Sequence, residues 1–111
     1  MPNTYAFSPA GITVSITAAV VVPAAVQAVS STPSTHPVYQ YRVINSGVVE
    51  VLLGVGSSAA AAAAAAASLA AGAIPLVPGA VEVLGFPSGS FFSGKTAAST
   101  AVVYITPGDG V

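Results

Sequence analysis

The chain has 111 residues and no cysteine, so one domain with a single core fits its length, and disulfides and thiolate metal sites are excluded. Only five side chains carry a full charge, Arg42, Glu50, Glu82, Lys95 and Asp109, against 54% hydrophobic residues and a net charge of -1. Two basic residues far apart cannot neutralise a run of phosphates, which argues against a nucleic-acid partner, and a soluble domain with so little charge has a largely neutral, partly apolar surface of the kind that ends up against another molecule.

Residues Met1–Ala10 hold two prolines and no clear period, and read as an N-terminal arm that lies on a neighbour or is loose. Residues 11–111 read as one β domain. Gly11–Val22 alternates, with Ile12, Val14, Ile16, Ala18, Val20 and Val22 on one face and Thr13, Ser15, Thr17 and Ala19 forming most of the other, the clearest strand pattern in the chain. Pro23 stops it. Ala24–Val29 reads as a short extended segment and Ser30–Pro37 as a polar loop.

Val38–Ile44 is a second strand, with Tyr39, Tyr41 and Val43 sharing a face. Asn45-Ser46-Gly47 has turn chemistry, and Val48–Val55 continues as a strand with Val49, Val51, Leu53 and Val55 aligned. The expectation is that these two strands form a hairpin, with Arg42 and Glu50 paired across it.

Nine alanines, Ala59–Ala67, follow Ser57-Ser58. Alanine is the best helix former, Ser58 is placed to cap the start and Gly72 to end it, so a short Ala-rich helix is expected around residues 58–71. A close-packed extended strand of small residues is the competing conformation. The run lacks an amphipathic stripe, and an isolated helix of this length is marginal in water.

Ala73–Val77 reads as extended, and Pro78-Gly79 fits a type II turn. Ala80–Phe86 is a strand with Val81 and Val83 opposing Glu82, Leu84 and Phe86. Ser90–Ser93 is a short strand, Gly94-Lys95 a tight turn, and Thr96–Thr106 the last strand, with Ala101, Val103 and Ile105 on one face. Short strands separated by Gly/Pro turns predict an all-β fold, an antiparallel sandwich or barrel, with a β-sandwich or jelly-roll-like core expected. Its expected core is Ile12, Val14, Ile16, Tyr41 or Ile44, Val51, Leu53, Val83, Val103 and Ile105.

No catalytic constellation is legible. His36 is the only histidine and sits in the Ser/Thr/Pro loop; Glu50 and Glu82 are mid-strand carboxylates whose plain reading is solvation or ion pairing. Metal binding needs convergent ligands, and these are scattered. The glycines form no phosphate or dinucleotide fingerprint. The expectation is no enzyme activity, no cofactor, no metal and no small-molecule substrate. The uncharged span Val51–Val81 is broken by glycines and prolines and lacks flanking anchors, and the N-terminus has no basic region, so neither a spanning helix nor a signal peptide is expected. Among the aromatics, Tyr5, Phe7, Phe92 and Tyr104 are the candidate interface residues, with one of the Phe91–Phe92 pair in the core.

Three blocks carry a resemblance: Tyr41-Arg42-Val43-Ile44-Asn45-Ser46-Gly47, Ile74-Pro75-Leu76-Val77-Pro78-Gly79-Ala80-Val81-Glu82-Val83, and Thr100-Ala101-Val102-Val103-Tyr104-Ile105-Thr106-Pro107-Gly108-Asp109-Gly110. Together they resemble small all-β structural proteins of tailed bacteriophages. The alanine run and the arm depart from that pattern. The resemblance implies a virion protein, assembled in the host cytoplasm: a capsid decoration (cement) protein that binds the major capsid protein and associates with itself, most often as a homotrimer. A head–tail connector or tail accessory subunit is the alternative, and a carbohydrate-binding surface module is the alternative of another class.

Overall fold

A computed structural model describes residues 9–29, 38–87 and 89–108, with the backbone alone at Val38 and Tyr39. It is mostly β, with two antiparallel four-stranded sheets and one short helix. The strands are β1 (Val14–Ala18), β2 (Val26–Gln27), β3 (Val38–Asn45), β4 (Val51–Gly56), β5 (Ile74–Leu76), β6 (Val81–Pro87), β7 (Phe91–Lys95) and β8 (Ala101–Gly108). One sheet has the order β1-β8-β3-β6 and the other β2-β7-β4-β5. Among the described residues no helix is long and apolar enough to cross a membrane.

The two sheets share one core in a sandwich-like arrangement. Ile16, Ala18, Tyr41, Val43, Ala101, Val103 and Ile105 enter it from the first sheet, and Val51, Leu53, Leu76 and Phe92 from the second. The period of two explains this membership, because alternate residues of each strand face the same way. The expected core holds at Ile16, Tyr41, Val51, Leu53, Val103 and Ile105, and Val14 packs half-buried at its margin. Two expectations fail. Ile12 precedes β1 and is 82% exposed. Val83 lies opposite Arg42 on the outer face, so it is the Leu84 and Phe86 side of β6 that packs on the core.

The expected β3–β4 hairpin does not form. β3 pairs with β6 and β8, whereas β4 pairs with β5 and β7 in the other sheet, so residues 46–50 cross between sheets. Arg42 and Glu50 therefore do not face each other across a hairpin. Asn45 makes the crossing possible. Buried at the end of β3, its amide donates to the carbonyls of Val49 (3.0 Å) and Leu76 (3.0 Å), while its Oδ1 accepts from the Gly47 amide (3.0 Å). Gly94 and Lys95 likewise belong to β7 and are not a tight turn.

Helix α1 (Ala59–Ala66) forms where expected, and the extended alternative is not adopted. Ser58 caps it, its hydroxyl accepting from the Ala61 amide at 3.1 Å. A 3-10 turn over Leu69–Ala71 follows, closed by Gly72 at φ 98°. The helix lies on the outer face of β4 and β7. Ala62 and Ala66, one turn apart, are fully buried. They sit over Gly54, where an added Cβ would overlap the Ala62 carbonyl oxygen and the Ala66 amide. A helix with almost no side-chain bulk reaches the backbone of a strand that has none, and that contact supplies the stability an eight-residue alanine helix lacks by itself.

Candidate interaction surface

The described residues hold no group of three or more His, Cys, Asp or Glu placed to bind a metal. Glu50 and Glu82 are both exposed, Glu50 in the crossing before β4 and Glu82 on the edge strand β6. His36 and Asp109 lie outside the described residues, as do the interface candidates Tyr5 and Phe7 and the loop at 30–37.

Phe92 is a correction. It is fully buried rather than an interface residue. Its β4 partner is Val55, and it faces inward with Val51, Leu53 and Val55. There its ring packs edge-on against Tyr41 at 5.1 Å and Phe86 at 6.0 Å. Phe91, on the other face of β7, is half-buried. Of the aromatic pair the core member is Phe92. Tyr104 is 43% exposed, on the outer face of the first sheet.

Ser15, Tyr104, Val81 and Val83 are exposed on that outer face. The register sets Ser15, Tyr104, Ile44 and Val81 side by side across the four strands, and Arg42 beside Val83. The face thus grades from hydroxyl residues on β1 to valines on β6, which is an edge strand. Val81 is 58% and Val83 47% exposed. Exposed aliphatic and aromatic carbon on adjacent strands is what binding surfaces between proteins are made of. Sequence reasoning placed Val83 in the core, whereas it shares this face with Tyr104. The neighbouring Arg42 was the signal that this row faces outward, since the two share a row only in the paired sheet.

Two half-open cavities lie among the described residues. One, of about 370 Å³, lies beyond the C-terminal end of α1 and is lined by Leu52, Glu50, Lys95, Ala67 and Thr96. Lys95 Nζ donates to the Ala67 carbonyl at 3.4 Å, placing positive charge at the negative end of the helix. The other, of about 310 Å³, lies between Phe86, Pro87, Val55, Ser57 and Ser90. No protein-family model, curated protein or solved structure matches the chain.

Proposed function

We propose that this protein is a structural virion protein of a tailed bacteriophage, built on a jelly roll, that decorates the capsid and stabilises it by binding the major capsid protein and further copies of itself. The observation that carries the reading is the nesting of strand pairs: β1 with β8, β2 with β7, β3 with β6 and β4 with β5. That is the order of a long hairpin rolled over on itself into two sheets, an architecture shared by viral capsid domains and lectins. Fold alone does not select the function. The resemblance of the three sequence blocks selects the virion, and the scarcity of charge selects a role in which the surface is covered.

The mechanism is burial of apolar surface at repeated contacts. A subunit that binds only the assembled shell adds stability by mass action. Particles lacking the protein assemble but rupture at lower temperature, and purified protein restores them about equally at low and high salt, because few charges are at the contacts. Particles that never form, or that form without tails, overturn decoration in favour of the connector role. The lectin alternative is favoured by one feature, the Phe86 cavity with its serine hydroxyls; specific binding on a glycan array, with no retention on particles, moves the function there.

A further inference from the structure

We propose that two copies of this chain join edge to edge through β6, about a two-fold axis at Val83, and so make one continuous sheet of eight strands from the two four-stranded ones. The inference does not depend on the virion reading, since it rests on the strand itself.

Sheet edges are where unpaired backbone groups invite another strand. Three of the four edges here are short or tied down. β2 has two residues and β5 three. β1 has five, and its end is fastened to the other sheet by the Thr96 amide donating to the Ala19 carbonyl at 3.0 Å. β6 has seven residues, and among the described residues no strand pairs with its outer side.

The hydrogen-bond pattern identifies which groups are open. The Asn45 amide donates to the Ala80 carbonyl at 3.0 Å, and Asn45 lies opposite Ala80 in the register. In an antiparallel pair such bonded positions alternate. Glu82, Leu84 and Phe86 therefore direct their backbone groups to β3, and Val81, Val83 and Gly85 direct theirs outward. Pro87 ends the series: it has no N–H, and its carbonyl already accepts from the Tyr41 hydroxyl (3.0 Å) and the Ser90 hydroxyl (2.6 Å).

This edge is complementary to itself. With the axis at Val83, each Val83 exchanges both bonds with Val83 of the second copy. Val81 meets Gly85 and Gly85 meets Val81, so large opposes small on the outer face. Every open group is used. An axis at Glu82 sets two carboxylates directly opposite, and an axis at Leu84 opposes Val81 to Pro87, which cannot donate. With the axis at Val83, Glu82 lies opposite Leu84 instead. The net charge of -1 per chain adds little repulsion between copies. An isologous contact of this kind closes at two copies, in place of the three-fold association expected from the resemblance.

The test uses the full chain. Light scattering of the purified protein at micromolar concentration gives twice the 10.7 kDa of the chain. Because the chain has no cysteine, Val83→Cys introduces a single thiol. Facing Cα atoms in a bonded pair lie about 5.5 Å apart, within disulfide range. Val83→Cys then oxidises to a covalent dimer at least about tenfold faster than Val48→Cys, whose site is more exposed, because the contact raises the effective thiol concentration. Val83→Pro and Val83→Lys, which touch no bond within the chain, give the single-chain mass with the β spectrum kept. A wild-type mass of one or three chains, or equal oxidation of the two cysteine variants, overturns the proposal.

Discussion

The two sheets meet the same core from opposite sides and finish their outer faces in opposite ways. The outer face of β4 and β7 is closed from within the chain, by an alanine helix resting on Gly54 and Gly56. On the outer face of β8, β3 and β6, by contrast, Tyr104, Val81 and Val83 are exposed. A sheet with both faces covered needs no partner, whereas one with apolar residues on its outer face presents binding area. The chain has so few charges that it does not solvate this face in the usual way. On the proposed reading the covered side contributes stability and the other side association, and substitutions on the two sides separate those effects.

The largest effect is expected beneath the helix. Gly54→Ala puts a methyl group where the Ala62 carbonyl and the Ala66 amide already lie, and backbone cannot step aside as a side-chain end does. The helix must lift, and the loss is about 2–3 kcal/mol in urea unfolding. Ser15→Ala, on the outer face of the open sheet, changes stability by less than about 0.5 kcal/mol. Equal effects at the two positions erase the distinction between the faces.

Asn45 joins the two sides, and its replacement ranks next. Asn45→Ala leaves the Val49 and Leu76 carbonyls and the Gly47 amide without the partner that now satisfies them. Buried groups left in this way cost about 2 kcal/mol. Hydrogen exchange at Gly47 speeds up more than at Val103, in the centre of β8. Unchanged protection at Gly47 shows that the crossing between sheets does not rely on this side chain.

Local order was legible in the sequence, and pairing was not. The alternation in β1, β3, β4 and β8 picked out the correct faces, because Ile16, Tyr41, Leu53 and Val103 follow a period that any half-buried strand obeys. Serine before alanine marked the start of the helix for the same local reason, whereas α1 ends at Ala66, short of Gly72, which closes the 3-10 turn instead. Asn45-Ser46-Gly47 was read as a hairpin because a turn signal says only that the chain bends. Whether the next strand rejoins the same sheet depends on β6 and β8, which lie far along the chain. The facing of Val83 and of Phe92 was misassigned by one mechanism: alternation separates two faces without saying which is inside. Leu84 and Phe86 decide it for β6, and the opposite residue Val55 decides it for β7.

The smallest effect on folding is expected to carry the largest effect on binding. Tyr104 pairs with Ser15 on one side and Ile44 on the other, and its ring stands on the open face at 43% exposure. Truncation to alanine removes area that contributes little to the isolated fold, so Tyr104→Ala shifts the unfolding free energy by about 0.5 kcal/mol or less. An aromatic at the centre of a buried contact is another matter, since such residues commonly carry 2 kcal/mol or more, or about 30-fold in affinity. Rebinding of the variant to particles stripped of the protein therefore weakens on the order of tenfold or more. His36→Ala, which removes little apolar area, leaves rebinding unchanged. Rebinding of Tyr104→Ala at wild-type strength moves the contact off the open face and ends the division of labour between the two sheets.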